Sequence, residues 1–336
     1  MGNYVVESKD ILQPINDEES NHRFSIWYHP IYTNGIHPDA RFPRDRYTKL
    51  LEKLKNPEHS NKFIIQQPTE ASRNELILAH DPCYVDNFLN QNLTEKEMKR
   101  IGLTPWTPQI VPRTLLLMGG AIAALDHVME HGGIAGNMAG GTHHAHHDFG
   151  SGYCIFNDLA VCSLLALSKY NLTKIAVVDF DVHQGDGTAT ILQNIDKVLT
   201  ISVHCRQNFP FRKSESDYDL ELPANAGDEE MLAMVAKALE ITKQFDPELI
   251  LFQAGVDGLA TDALGKLNIS RQGMSQRNEM VFDLAVEQLI PTVVFMGGGY
   301  SDPIFHTIEA FRDLFLVASR ANKQFLTKVD LGDVDS

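Results

Sequence analysis

The sequence predicts one α/β domain in three layers, a mostly parallel central sheet with helices on both faces. Three observations lead there. Short apolar, β-branched runs recur along the chain. Long helix-like stretches lie between the later ones. No proline- or serine-rich linker and no internal repeat divides the 336 residues. A chain of this length can bury a large single core without disulfide staples.

The strand-like runs are residues 24–28, 63–66, 175–180, 198–203, 249–253 and 292–296, with a shorter run at 133–138. The helix-like stretches are 111–130, 158–169, 229–244, 271–288 and 303–321. Strand, helix, strand alternation through the second half is the pattern of parallel strands joined by helical crossovers. One domain is expected over residues 1–322, with 323–336 as a polar tail.

Composition narrows the function classes. Lysine and arginine number 29 against 44 aspartates and glutamates, a formal net charge of −15. That excess disfavours nucleic acid or an anionic membrane as a partner, and mildly favours cationic ligands such as basic peptides and polyamines. Cys83, Cys154, Cys162 and Cys205 form no C-x-x-C pair, so neither a disulfide framework nor a zinc knuckle is expected. Residues 1–17 are polar and hold no apolar signal core, and Val6 stands where a myristoylation pattern needs Ser or Thr. No apolar run approaches the ~18 residues of a membrane span. A soluble cytoplasmic protein in a reducing compartment is the expectation.

Ligands in open α/β sheets bind outside the carboxyl ends of the strands, and the unusual residues fall there. Asp179, Asp181 and His183 close the 175–180 run, with Asp186 just beyond. Asp181 and His183 are two apart, so extended backbone points them to one side. An Asp-x-His pair with one further carboxylate makes three ligands and leaves a fourth position open, the layout of a catalytic zinc site. Asp257, in Ala254-Gly255-Val256-Asp257-Gly258, is the candidate third ligand, while Asp262 is expected to be solvated. Asp186 taken alone could simply cap the following helix.

Gly140-Gly141-Thr142-His143-His144-Ala145-His146-His147 follows the 133–138 run. Such a loop could be a surface cluster that binds metal adventitiously. The functional reading sets His143 and His144 over the metal as acid–base groups, with Asp179 and Asp186 each fixing one ring. His146 and His147 are expected to face solvent or to support the site from behind. After the last strand comes Met296-Gly297-Gly298-Gly299-Tyr300. No Gly-Lys-Ser/Thr follows it, so a nucleotide phosphate loop is not expected. A phenol beside the metal could instead donate to a developing oxyanion.

Taken together, these motifs resemble the metal-dependent histone deacetylase family of the arginase/deacetylase fold. The matching pieces are residues 140–145, Gly152-Tyr153-Cys154 with Asn157-Asp158, 179–187, 255–257 and 297–300, in the family's order. The Gly-Gly-Thr-His-His form and the 206–213 segment look closer to class IV deacetylases and their bacterial relatives, since the major eukaryotic classes tend to have proline-glycine before the paired histidines. The resemblance implies a deacetylase-like catalytic domain. It implies one Zn2+ on Asp181, His183 and Asp257, with His143 and His144 paired to Asp179 and Asp186. It makes His144 the general base and Tyr300 the group that polarises the substrate carbonyl. Gly152, Tyr153, Phe209, Gly298 and Gly299 would border the acyl-lysine, and Arg41 would match an arginine of the inner cavity. A structural K+ near Asp179, Asp181, His183 and Ser202 is also implied. Arginase-like relatives hold two manganese ions and carry an Asp-x-Asp pair on the later loop. Here that loop reads Gly255-Val256-Asp257, without the Asp-x-Asp pair, so a single metal is expected.

The implied partner is an acyl-lysine protein or peptide, with a small acylated amine as the alternative. No direct nucleic-acid or membrane partner is expected. The nearest competing activity is acetylpolyamine hydrolysis, which would need acids at the channel mouth. A catalytically silent binding protein of the same fold would be marked by loss of Tyr300 or of a ligand, and all are present.

Overall fold

The structure, a computed structural model, describes residues 22–332. The expectations on residues 1–17 and at the extreme carboxyl terminus therefore lie partly or wholly outside the described residues. Eight strands form one sheet: β1 (Phe24–Trp27), β2 (Phe63–Gln66), β3 (Ile134–Asn137), β4 (Ile175–Asp179), β5 (Val198–Cys205), β6 (Tyr218–Leu222), β7 (Leu249–Gln253) and β8 (Thr292–Phe295). Their order is β2-β1-β3-β8-β7-β4-β5-β6, and every neighbouring pair is parallel. The central strands β3, β8, β7 and β4 are buried at every position, as strands covered on both faces must be.

The helices Ile110–His131 and Asp158–Lys169 pack against β1, β3, β8, β4 and β7, and the helices Asp228–Phe245, Arg271–Gln288 and Phe305–Asp330 form the other layer. The predicted three-layer architecture is the one observed. No helix among the described residues is long and apolar enough to cross a membrane.

Two differences have physical causes. Strand β6 went unpredicted because it is the sheet's outer edge. Only Leu220 and Leu222 point inward, while Tyr218 and Glu221 face solvent, so its apolar signal is thin and its charges shield an open edge. The polar tail expected from residue 323 is instead helical as far as Asp330. Phe325 is buried, and Asn322 accepts a hydrogen bond from Ile134 N at 2.8 Å and donates to His22 O at 3.2 Å. One apolar stripe, Leu314, Ala318, Ala321 and Phe325, continues at helical spacing. Lysines and an aspartate on the outer face mask it in a sequence reading.

Phe325→Ala is expected to destabilise the fold by about 3–5 kcal/mol, the cost of a large cavity, as read by chemical denaturation. A change within about 0.5 kcal/mol, typical of a surface site, would place the segment outside the core.

Candidate metal centre and substrate channel

The four central strands are neighbours in space, and each carries one piece of the site at its carboxyl end. The loop after β3 brings His143 and His144. The end of β4 brings Asp179, Asp181, His183 and Asp186. The loop after β7 brings Asp257, and the loop after β8 brings Tyr300. The chain reaches β4 by passing over the places that β7 and β8 later fill, so this is where strand order reverses.

Asp181, His183 and Asp257 offer ligand atoms that lie within 4.8 Å of one another, and all three are buried. His183 Nδ1 is 3.0 Å from Asp181 Oδ1 and 3.0 Å from Asp257 Oδ2. Backbone N–H groups hold both carboxylates: Gly298 N donates to Asp181 Oδ2 at 2.8 Å and Val182 N to Asp257 Oδ1 at 2.9 Å. Residue 298 must be glycine, because a Cβ there would collide with the Asp257 carboxylate. Burial and the neighbouring Asp181 charge push Asp257 up to about 7. The ionic partners of both carboxylates among the described residues are histidines, not lysine or arginine. Burial would lower the His183 ring, but the Asp181 and Asp257 carboxylates beside it outweigh that and push it up to about 10, so the triad attracts positive charge. A divalent cation fits that donor set.

A buried arginine braces the loops behind the triad. Arg277 donates to Phe180 O at 3.1 Å, to Gly255 O at 2.6 Å and to Ala254 O at 3.1 Å. It therefore ties the β4 loop to the β7 loop, and sequence reading missed it. The available signal was its position on a buried helical stripe with Met274, Asn278 and Val281, where a charge needs a partner. Asp262 also differs from expectation. It is partly buried and accepts from Tyr300 N at 2.6 Å and from the backbone of Leu264 and Gly265 at 2.9 Å. It positions the backbone of Tyr300 instead of lying in solvent.

The two histidine–aspartate pairs are formed. His143 Nδ1 is 2.7 Å from Asp179 Oδ2, and His144 Nδ1 is 2.6 Å from Asp186 Oδ1. The rings sit 4.1 Å apart, centroid to centroid. Their environments drive them in opposite directions. Burial would lower His143, but Asp179 and Asp181 outweigh it and push it up to about 9. Burial, with the charge on His143, pushes His144 down to about 4. The two rings are thus driven apart, His143 toward the cationic and His144 toward the neutral form, a separation suited to acid and base roles.

Their loop is pinned from below. Asp158 accepts from Gly141 N at 2.9 Å and Thr142 N at 2.8 Å, and Asn157 donates to Ala145 O at 3.1 Å. His146 supports Asp186 from behind, its Nε2 3.2 Å from Asp186 Oδ2, while His147 is exposed. Ser202, implied for potassium, pairs its hydroxyl with His204 Nδ1 at 2.9 Å.

A cavity of about 790 Å3 leads from the surface to this centre. Tyr153 and Phe209 stand in its walls with Phe42 and Tyr300. The Phe209 ring lies 4.9 Å from that of His144, and Tyr153 lies 5.9 Å from Tyr300. Gly152 has φ +53° and packs so close to the His144 ring that a Cβ would meet it at 2.6 Å. Burial pushes the Tyr300 phenol well above its ordinary value, so it stays protonated as a donor.

Two expectations at the channel are corrected. Gly298 borders the cavity, but Gly299 packs against Thr307, Val256 and Phe311, and its carbonyl accepts from Arg46 at 3.2 Å. The arginine of the inner cavity is Arg46, which is buried and also donates to Gly297 O at 3.1 Å. Arg41 is exposed at the outer end. Arg46 shares a buried stripe with Leu50 and Leu54, the same signal that marks Arg277.

A buried aspartate–histidine–aspartate triad that could hold a metal, at a strand-order reversal and with paired histidines above it, is a candidate hydrolase-type centre on an α/β sheet. The histone deacetylase domain model matches residues 40–310, and the chain belongs to the histone deacetylase family. It is 40% identical over 282 residues to an uncharacterised protein of Picosynechococcus sp., covering 84% of this chain and 93% of that one. It is 30% identical over 275 residues to histone deacetylase 2 of Arabidopsis thaliana, covering 79% and 70%. Among solved structures, the acetylpolyamine aminohydrolase of Burkholderia pseudomallei superposes with a TM-score of 0.72 at 19% identity, covering 88% of this chain and 98% of that one.

Arg277→Leu is expected to leave buried carbonyls of both ligand loops unpaired. It should cost about 3 kcal/mol or more, at 1–3 kcal/mol per orphaned group, and should lower metal content. Denaturation and atomic emission together would check this. Retained stability with full metal content would remove Arg277 from its bracing role.

Proposed function

We propose that the chain is a zinc-dependent deacylase that hydrolyses the amide of N-acyl-lysine in proteins. The observation that carries the reading is the convergence of the buried triad, two oppositely shifted histidines and the Tyr300 phenol at the floor of one aromatic-walled channel. Asp181, His183 and Asp257 would hold one zinc ion. Zinc in such a ligand set supplies Lewis acidity, polarising a carbonyl and acidifying water.

The chain's own groups do the rest. Tyr153 and Phe209 flank the lysine methylenes and exclude water from them. His144, neutral and oriented by Asp186, takes the proton of the attacking water. The Tyr300 hydroxyl donates to the carbonyl oxygen as it gains negative charge. His144, or its cationic partner His143, delivers a proton to the departing amine, so that free lysine and a carboxylic acid result. A cytoplasmic location fits this chemistry. The acyl group is chosen by the inner end of the cavity around Arg46.

The second reading is hydrolysis of acetylated polyamines, which the same machinery would perform. It is favoured by the acidic net charge and by the fold shared with an acetylpolyamine aminohydrolase.

A panel of acyl-lysine peptides and an acetylated polyamine, assayed with and without a chelator, is the test. Peptide turnover should disappear on chelation and return with about one equivalent of zinc. Asp257→Asn should lose both metal and activity. Tyr300→Phe should keep the metal and lose about two orders of magnitude or more in kcat, as expected for one oxyanion donor. Near-full activity of Tyr300→Phe would remove the phenol from the chemistry. Turnover indifferent to chelation would sink the metal-dependent reading.

A further inference from the structure

The outer end of the channel carries a charge opposite to that of the whole chain. Arg41, Lys99, Arg100 and Lys266 are exposed and border the cavity, and Asp39 is the one exposed acid that does so. They approach from separate segments: the loop before Arg46, the helix Glu95–Ile101, and the loop after Asp262. Two of the cations spend their hydrogen bonds on carbonyls. Arg100 Nε donates to Gly150 O at 3.2 Å and Lys266 Nζ to Gln207 O at 2.9 Å. Lys99 has Glu95 at 3.7 Å one helical turn away, both largely exposed, a pairing worth little in solvent. Asp39 lies 3.7 Å from His37. Beside these cations, Phe211 is 87% exposed and Leu264 43% exposed, on the rim that also bears Phe209. The rim is thus an apolar platform set among cations.

We infer that the channel selects acyl-lysines set in acidic segments of a protein and disfavours those in lysine- and arginine-rich segments. This rests on the acyl-lysine reading and deepens it. A peptide lying across Phe211 and Leu264 would bring flanking carboxylates to Lys266, Lys99 and Arg41. A basic tail, or the ammoniums of a polyamine, would meet like charge at the mouth of a cleft, where fields are focused. The net charge of −15 would suggest the reverse preference, so the distribution of charge decides.

The test uses the intact enzyme and three peptides that differ only in flanks: Asp/Glu, Ser/Gln or Lys/Arg. Each carries the acyl group cleaved fastest on the neutral peptide, and an N-acetylated diamine is assayed alongside. At low salt, kcat/KM should favour the acidic over the basic peptide by about tenfold or more, mainly through KM, and the gap should shrink at high salt as screening sets in. Arg41→Glu with Lys266→Glu should abolish or invert the preference. The salt comparison on the unaltered enzyme stands whether or not that variant folds. Equal efficiency on all three peptides, or preference for the basic one, would overturn the inference and leave the deacylase reading intact. Turnover of the diamine with none of the peptides would overturn both.

Discussion

The structure is organised around a cluster of buried carboxylates at the carboxyl edge of a parallel sheet. Asp179, Asp181, Asp186 and Asp257 are all buried within one cluster. Carboxylates in that position need hydrogen bonds or cations, or they neutralise. Backbone N–H groups of Val182 and Gly298, and the histidine rings, meet part of the need. Asp181, His183 and Asp257 lie close enough together to hold a metal ion among them. The charge also accounts for the opposite behaviour of His143 and His144, since only His143 lies near two carboxylates of the cluster.

Such a centre requires rigid loops, and the chain makes them rigid with buried cations that face carbonyls instead of acids. Arg277 braces the β4 and β7 loops from one helical layer. Arg46 braces the glycine loop after β8 from the amino-terminal segment. Both guanidiniums satisfy carbonyls that a loop leaves without strand partners. Neither makes a direct ion pair with a triad carboxylate, although the Arg277 charge acts on Asp257 and Asp181 through space. Asp262 has the complementary task, capping the backbone N–H groups that precede the channel wall.

Charge is therefore sorted by depth. The floor of the channel is acidic, its walls are aromatic and glycine-lined, and its mouth is cationic, on a chain whose total charge is strongly negative. Net charge governs solubility and long-range encounter, whereas a cleft responds to the groups that line it. The two scales point to different ligands here.

The sequence by itself determined the parallel sheet and pointed to the residues that the fold gathers at its carboxyl edge: the candidate metal triad, the paired histidines with their aspartates, and the tyrosine. Each is a local pattern: an apolar β-branched run followed within a few residues by a polar cluster. Placement at strand ends then follows from the fold class. It could not show that Arg46 reaches Gly297, 251 positions away, or that Arg277 reaches Phe180, 97 positions away. Nor could it show that Gly299 packs backward, that Arg41 faces outward, or that the last helix continues to Asp330. Those outcomes depend on which surfaces meet once the layers close. Hydrogen bonds across the sheet and the charge around a channel have no periodicity along the chain, so only the tertiary structure decided them.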